Sequence, residues 1–193
     1  MAEPFDISEP LATGTSVLEA SAGTGKTWTL AAITAKLVAE GTELERLLLV
    51  TFTRAATSEL RERIRTRLVS VGRGLDARAA GHAPAEEDVV VELLADCGAD
   101  ELAARRRRIT RALADFDAAT ITTIHGFCIQ RRMQEAQLLL LDGQLTIAQI
   151  AERVGYEHQS SFAAAFRAFS GMAAKDYRKQ RAALVVPLKA GVC

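Results

Sequence analysis

Residues 15–40 read TSVLEASAGTGKTWTLAAITAKLVAE, and this stretch decides the expected fold. Its first part, residues 15–20, is β-prone, and residues 21–25 are small and flexible. From residue 27 to residue 40 the apolar side chains recur at helical spacing, and Gly41 is a helix stop signal. This order of strand, loop and helix predicts the beginning of an α/β layer.

The rest of the sequence predicts further strands and helices. Residues 46–52, RLLLVTF, form a continuous apolar run, which is typical of a strand buried on both faces of a parallel sheet. Residues 55–70 predict a charged amphipathic helix, whereas residues 72–88, rich in Gly, Ala and charge, predict an exposed loop. A short strand is expected at residues 120–124, and helices at residues 89–95, 100–114, 125–141, 147–154, 160–169 and 175–184.

The segment ASAGTGKT, residues 20–27, fits the pattern of a phosphate-binding loop, with Ala20 where a first glycine is usual. Its glycines let backbone N–H groups point at phosphate oxygens, and the following helix adds its dipole. In such a loop the lysine reaches the β- and γ-phosphates, and the Thr27 hydroxyl holds Mg²⁺. The alternative is a chance glycine-rich turn. The candidate cofactor-binding residues are Ala20, Ser21, Ala22, Gly23, Thr24, Gly25, Lys26 and Thr27.

Composition excludes several classes of protein. The chain has 193 residues, of which 49% are hydrophobic and 25% charged, so disorder is disfavoured. No apolar run approaches the roughly 20 residues of a membrane span, and the acidic N-terminus is no signal peptide. Cys97, Cys128 and Cys193 are far apart, which fits neither a disulfide framework nor a zinc site. We therefore expect a cytoplasmic protein without membrane contact.

Net charge differs between the two ends of the chain. Residues 131–193 contain nine Lys or Arg and five Asp or Glu, a net charge of +4, although the whole chain is neutral. The first 130 residues therefore carry −4. The basic segment is the one expected to meet nucleic acid electrostatically.

Three blocks of sequence, GTSVLEASAGTGKTWTLAAI, LLLVTFTRAATSELRERIRTRL and ATITTIHGFC, follow one another in this order. In order and spacing they resemble the opening of RecB-like superfamily 1 (UvrD/Rep-type) DNA helicases. The resemblance covers residues 1–128. It implies a partial RecA-like P-loop NTPase domain that binds ATP and Mg²⁺, from an ATP-dependent helicase of DNA repair and recombination.

The same resemblance implies contacts to single-stranded DNA. Thr51, Phe52 and Thr53 match one DNA-contacting motif of the family, and Thr123, Ile124 and His125 match another. Hydroxyls and N–H groups at strand ends bond phosphates, and an aromatic ring stacks on a base. Without the family, Phe52 and Ile124 read equally well as core residues, and His125 as a capping or surface histidine.

Parts of a helicase motor are missing from the sequence. The family needs an acidic Walker B pair and arginines at the transferring phosphate. The one acidic block, residues 89–101, precedes the Thr123 block, so we interpret it as an amphipathic helix. We expect binding of ATP and DNA without unwinding, and a partner subunit that completes the ATPase site.

The run Arg105–Arg108, with Arg111, predicts a solvated helix with ion pairs rather than a DNA patch.

A second resemblance begins near residue 131, in RRMQEAQLLLLDGQLTIAQIAERVGYEHQSSFAAAFRAFSGMAAKDYRKQ. This segment resembles the C-terminal half of an AraC/XylS-family DNA-binding domain, a helix–turn–helix with a cap at Thr146 and a turn at Gly155. The family has two such units and this chain has one. The resemblance implies duplex DNA binding, with base contacts from Gln159, Ser160 and Ser161 and a phosphate contact from Arg167.

The predicted fold is therefore α/β followed by a small all-α domain. Residues 1–130 form a truncated helicase ATP-binding domain, residues 131–188 the helix–turn–helix segment and residues 189–193 a tail. The first hypothesis is an ATP-binding helicase fragment joined to a DNA-binding segment. The alternatives are an AraC-family transcription regulator and a non-functional gene-fusion product. A recombined, frameshifted or truncated reading frame is favoured over a genuine two-module protein, because neither half is complete.

Overall fold

The structure is a computed structural model, and it describes residues 5–10, 14–19, 25–83 and 87–184. Within these ranges the chain forms eight α-helices, two β-strands and two short 3₁₀ turns. They are α1 (Lys26–Glu40), a turn at Leu44–Arg46, β1 (Leu48–Thr51), α2 (Arg54–Ala79), α3 (Val89–Ala95), α4 (Ala99–Ala114), a turn at Phe116–Ala118, β2 (Thr120–Thr123), α5 (Ile124–Asp142), α6 (Ile147–Arg153), α7 (Gln159–Ser170) and α8 (Ala174–Leu184).

The chain divides into two compact units, Met1–Thr123 and Ile124–Cys193. Each unit has a hydrophobic core of its own. Helices α1 to α4 and the two strands surround the first core, and α5 to α8 surround the second. The domain boundary predicted after residue 130 marks where one family resemblance ends and the other begins. It does not separate two sets of contacts, and it stays a prediction.

Helix α1 confirms the predicted helix that ends at Gly41. Its buried face consists mainly of small residues, Ala31, Ala32, Ala35 and Ala39, which allow neighbouring helices to approach closely. Gly41 ends the helix with φ of 116°, a left-handed conformation that favours glycine. Its N–H donates to the carbonyl of Val38 at 3.1 Å.

Helix α2 is longer than the sequence analysis predicts, because it continues through Ala79. The predicted exposed loop at residues 72–88 is therefore wrong for its first half. The apolar stripe of α2 does not stop at residue 70, since Val71 and Leu75 are fully buried in the same core as Leu68. This burial offsets the low helix propensity of the glycines in the last two turns.

The two strands form a parallel pair in which Leu48 lies opposite Thr120 and Thr51 opposite Thr123. The strand predicted at residues 46–52 is confirmed, but its burial on both faces is wrong. Leu48 and Val50 are 46% and 44% exposed, whereas Leu49 packs against the core. Helix α2 packs against both strands.

The strand predicted at residues 15–20 is also wrong for the residues that the structure describes. Residues 15–19 have no strand pairing, and Val17 is 79% exposed. A strand needs a hydrogen-bonded neighbour, and the described sheet contains β1 and β2 alone. Ala20 lies outside the described residues.

The second unit confirms the helices predicted after residue 124. Thr146 caps α6 in a capping box with Gln149, whose backbone N–H donates to the Thr146 hydroxyl at 3.2 Å. Gly155 has φ of 81° and makes the turn between α6 and α7. The core centres on the fully buried rings of Phe162 and Phe166, whose centroids are 5.6 Å apart.

Candidate nucleotide and nucleic-acid sites

The candidate phosphate site lies at the N-terminal end of α1. Gly25 precedes the helix with φ of 88° and ψ of 17°, and a Cβ built there would meet nothing within 4 Å. The Gly25 carbonyl accepts the first helical hydrogen bond, from the N–H of Thr29 at 2.9 Å. Lys26 is exposed and Thr27 half-buried. The other five candidate residues, Ala20, Ser21, Ala22, Gly23 and Thr24, lie outside the described residues.

The start of α1 fits an anionic ligand. The first turn contains no acidic side chain, so a phosphate there meets no like charge from the helix itself. Amide N–H groups of a first helical turn point along the axis without an intrahelical acceptor, and the helix dipole adds a partial positive charge. Within the described ranges no group of three His, Cys, Asp or Glu residues could hold a metal ion by itself.

Trp28 follows the candidate residue Thr27 in the first turn of α1. Its ring is 46% exposed, and the Arg67 guanidinium lies 5.2 Å from the ring centroid. Arg67 also forms a bidentate ion pair with Asp88, with N–O distances of 2.5 and 2.8 Å. Sequence reasoning missed this pair because its members are 21 residues apart and belong to no local motif.

The candidate DNA residues Thr51, Phe52 and Thr53 form the link between β1 and α2. The Phe52 ring is 90% exposed. Thr53 caps α2, since its hydroxyl accepts from the N–H of Ala56 at 3.1 Å. Thr57, which sequence reasoning missed, bonds both flanking threonines, with its Oγ1 2.6 Å from Thr51 Oγ1 and 3.0 Å from the Thr53 carbonyl.

The strand pairing brings Thr51 and Thr123 side by side at the carboxyl ends of β1 and β2. Two candidate DNA motifs therefore contribute to the same end of the sheet. The other members of the second motif, Ile124 and His125, begin α5 in the second unit and are exposed. The alternative that Phe52 and Ile124 are core residues is wrong, because the Ile124 side chain is 43% exposed.

The arginines of α4 make the ion pairs that the sequence analysis predicts. Arg105 and Arg108 both bond Glu101, at 3.2 and 2.8 Å, and Arg106 bonds Asp76 at 2.6 Å. Arg108, and to a smaller extent Arg105, holds the pKa of Glu101 below its ordinary value of 4.5. Arg105, Arg106 and Arg108 therefore form ion pairs within the first unit.

The candidate duplex-DNA residues lie on α7. Gln159, Ser160 and Ser161 occupy its first turn and are exposed, and Arg167 is exposed two turns later. Residues seven apart lie on nearly the same side of a helix, so Ser160 and Arg167 share one face. Ala164 lies on that face between them and has no side-chain hydrogen-bonding group.

The family model of the UvrD/REP helicase N-terminal domain matches residues 4–185. The chain belongs to this family. It is 47% identical over 127 residues to the RecBCD enzyme subunit RecB of Mycolicibacterium smegmatis, which covers 64% of this chain and 11% of that protein. RecB of Mycobacterium tuberculosis strain H37Rv is 49% identical over 115 residues, covering 59% of this chain and 10% of that protein.

The UvrD/REP match extends past Cys128, where the sequence analysis expects the helicase resemblance to end. RecB of Chlamydia pneumoniae is likewise aligned over 155 residues, at 34% identity, with 77% of this chain and 14% of that protein covered. These matches give no support to a transcription-regulator origin for residues 131–188. The chain spans about a tenth of the length of the mycobacterial relatives that it matches.

None of the described helices combines the length and the apolar character that crossing a bilayer requires.

Proposed function

We propose that this chain is the ATP-binding N-terminal fragment of a RecB-like helicase of DNA repair, acting in the cytoplasm. The observation that carries the proposal is the start of α1. There a left-handed Gly25 leads directly into Lys26 and Thr27, in a chain of the UvrD/REP family. Lys26 would contact the β- and γ-phosphates of ATP, and Thr27 would bind Mg²⁺ through its hydroxyl. Residues 20–24 would supply backbone N–H groups.

The proposed activity is binding rather than unwinding. No acidic pair follows the Thr123 block in the order that the helicase family uses, so these residues would hold a nucleotide without completing hydrolysis. The relatives are named as subunits of the RecBCD enzyme. We propose by analogy that a partner subunit completes the ATPase site.

A titration of Mg²⁺–ATP against the fluorescence of Trp28 tests the nucleotide site. Trp28 is the one tryptophan of the chain and follows Thr27 directly. We expect a saturable change that Lys26→Ala abolishes and that Lys175→Ala, an exposed lysine of α8, leaves intact. The absence of a saturable change in the unaltered protein would contradict ATP binding and favour the non-functional fusion product.

Single-stranded DNA is the proposed ligand of the loop between β1 and α2. Phe52, 90% exposed beside the capped start of a long helix, is a stacking platform for a base, and Thr51, Thr53 and Thr123 offer hydroxyls to phosphates. Separately, we propose that Ile124 and His125, at the start of α5, contact single-stranded DNA. Phe52→Ala should weaken the binding of a fluorescent oligonucleotide by about 1–3 kcal/mol. Leu138→Ala, an exposed apolar residue outside all candidate sites, is the control.

A second candidate function is duplex DNA binding by a helix–turn–helix at α6 and α7. Support comes from the capped α6, the turn at Gly155 and the exposed first turn of α7. In this proposal Gln159, Ser160 and Ser161 contact bases and Arg167 contacts a phosphate. A transcription regulator of the AraC type would use the unit in this way.

Gel shifts on duplex DNA at several salt concentrations test this second function. Arg167→Ala should lower the affinity and reduce the salt slope by about one. Arg153→Ala, an exposed arginine on α6, is the matched control. Equal effects of the two variants would show that binding depends on net charge and would contradict a recognition role for α7.

A further inference from the structure

Arg61 joins helix α2 to strand β2 inside the first unit. Its side chain is half-buried, and its Nη2 lies 3.3 Å from the carbonyl oxygen of Ala119 and 3.5 Å from that of Ile121. Ala119 immediately precedes β2, and Ile121 lies in its first half. Carbonyls two residues apart in an extended chain point to the same side, so one donor group can reach both. Arg61 therefore attaches the beginning of β2 to α2, although Ala119 is 58 residues away in sequence.

The ring of Phe116 supports the position of the same guanidinium. Phe116 is 3% exposed and lies in the turn that leads into β2. Its ring centroid is 5.8 Å from the guanidinium carbon of Arg61 and 5.4 Å from that of Arg65. A cation over an aromatic face is attracted by the negative face of the ring. Arg61 is thus held by a ring and by two carbonyls, and all three partners belong to residues 116–121.

The proposed single-stranded DNA site has two parts that come from different elements. Phe52 lies on the loop that leads into α2, and Thr53 in that loop caps the helix. Thr123 ends β2 and lies opposite Thr51. Each strand of the pair that relates the two parts has four residues, and an isolated pair of this kind is weak. Contacts outside the pair must therefore hold the two parts in place, and Arg61 makes such contacts from the helix that also carries the loop.

We propose that Arg61 is a positioning residue of the single-stranded DNA site, which keeps Thr123 in register with Thr51 and Phe52 by attaching β2 to α2. The proposal rests on the proposed binding of single-stranded DNA. Arg61 is eight residues beyond Thr53, about 12 Å along the helix axis, and its guanidinium is engaged with residues 116–121. It is therefore not one of the proposed contacts to DNA, and it acts on binding through the position of Thr123.

The size of the effect follows from the contact that depends on β2. Without the Arg61 guanidinium the loop remains fixed to α2 by Thr53 and Thr57, so Phe52 still stacks on a base. The contact that weakens is the hydrogen bond from Thr123 to a phosphate. One hydrogen bond to a charged group corresponds to a change of about tenfold to a hundredfold in affinity. We expect the lower figure for Arg61→Met, because pairing with β1 keeps part of the register.

A double-mutant cycle on the full chain tests the proposal, with the dissociation constant of a fluorescent single-stranded oligonucleotide as the measurement. Arg61→Met and Thr123→Val should each raise this constant about tenfold, and the double variant should raise it no further than either change alone. Arg61→Met combined with Phe52→Ala should instead show the product of the two single effects. A merely structural contribution of Arg61 would not single out Thr123.

Two further substitutions are matched controls. Arg61→Lys keeps a cation beside Phe116 and a donor for the carbonyls, so it should recover part of the affinity. Arg63→Met removes the same charge from the same helix. Because Arg63 is exposed and paired with Glu59, its replacement should leave the affinity close to that of the unaltered protein.

Phe116→Leu keeps the test valid if Arg61→Met fails to fold, because it removes the ring beside the guanidinium and retains an apolar core side chain. It should weaken binding in the same direction and be non-additive with Thr123→Val. Multiplying effects of Arg61→Met and Thr123→Val, or an unchanged affinity in either single variant, would overturn the positioning role while DNA binding stands. If the unaltered protein binds no single-stranded DNA, or if Phe52→Ala binds it equally well, the proposed function fails first and the positioning role falls with it.

Discussion

The hydroxyl of Thr57 joins the end of β1 to the start of α2. It lies 2.6 Å from the hydroxyl of Thr51 and 3.0 Å from the Thr53 carbonyl, which the Thr51 hydroxyl also approaches at 3.1 Å, so the two hydroxyl hydrogens serve two of these three contacts at a time. Three threonines therefore fix the backbone on both sides of Phe52. This arrangement fixes the backbone that presents the 90% exposed side chain of Phe52.

Replacing Thr57 by valine should loosen this loop without disturbing the core. Valine has the same shape and lacks the hydroxyl, and two partly exposed hydrogen bonds are lost. At about 0.5–1.5 kcal/mol per bond, the two bonds amount to about 1–3 kcal/mol, so we expect the binding of single-stranded DNA to weaken by about fivefold or more. Fluorescence anisotropy of a labelled oligonucleotide measures this change.

Thr57→Ser is the matched control, since it keeps the hydroxyl and loses only a methyl group. It should bind DNA like the unaltered protein. If serine, which keeps the hydroxyl, weakens binding as much as valine does, the hydrogen bonds of Thr57 do not account for the position of Phe52.

Individual site residues were predictable only where a local motif carries them. Lys26 and Thr27 stand in a recognisable order before an amphipathic helix, and the family resemblance places Phe52. Arg61 and Arg67 were not predictable, because their partners are 58 and 21 residues away in sequence. An arginine in a charged helical pattern gives no sign of which distant groups it will meet.

Gly74 allows α2 and α3 to pack closely in the first unit. A Cβ at this position would lie 2.6 and 2.7 Å from the two methyl groups of Val91. Gly74→Ala gains roughly 1 kcal/mol in helix propensity but forces an overpacked contact that costs about 1–3 kcal/mol. We expect a net loss of up to about 2 kcal/mol in the free energy of unfolding, measured with urea.

The double variant Gly74→Ala with Val91→Ala isolates this contact. With the valine methyls gone, alanine at position 74 should stabilise the helix, so the sign of its effect reverses. Destabilisation of the same size in both backgrounds would mean that the strain does not come from Val91.

Glu101 links α4 to the end of α1 through Arg108. Arg108 bonds Glu101 and also the carbonyl of Ala39, both at 2.8 Å. The pKa of Glu101 is lower in the folded protein than its ordinary value of 4.5, so its stabilisation is complete above pH 4.5. The stabilisation is lost as the pH falls through the lowered pKa.

Glu101→Gln should therefore be less stable than the unaltered protein at neutral pH, and the two should converge in acid. Urea midpoints measured over a pH series test this expectation. Glu62→Gln, which removes an exposed carboxylate that makes no ion pair with any described residue, is the control. A difference between Glu101→Gln and the unaltered protein that persists below the lowered pKa would show that the glutamine acts by packing rather than by charge.

Local patterns predicted the helices better than the surroundings of the strands. The spacing of residues 89–95 and the stop at Gly41 were sufficient to place two helices. The length of α2 was not predictable, because its glycines read as a loop until the burial of Leu75 is known. An apolar run such as residues 46–52 indicates a strand but does not reveal which neighbours cover its faces.

The tryptophan and the tyrosines, whose fluorescence can report unfolding, lie in different units. Trp28, the one tryptophan, lies in the first unit, and both tyrosines, Tyr156 and Tyr177, lie in the second. The sequence predicted two segments from the change in charge and resemblance near residue 130. It did not predict that the structural division falls between Thr123 and Ile124, because that division depends on which core each turn of α5 joins.

Because the cores are separate, damage to one should leave the other folded. Phe162 is fully buried between Tyr156 and Phe166, with ring centroids 5.8 and 5.6 Å away. Phe162→Ala should cost the second unit about 3–5 kcal/mol. Tyrosine fluorescence should then show unfolding at lower urea, while the transition followed by Trp28 keeps its midpoint.

Ile64→Ala provides the opposite case, because Ile64 is fully buried in the core of the first unit. It should move the Trp28 transition to lower urea by an amount that corresponds to about 2–5 kcal/mol and leave the tyrosine transition in place. If the two transitions are independent, unfolding of the second unit cannot by itself account for a loss of nucleotide binding, because the candidate nucleotide site lies in the first unit. If either variant moves both transitions together, the chain unfolds as one cooperative body, and each candidate site depends on both cores.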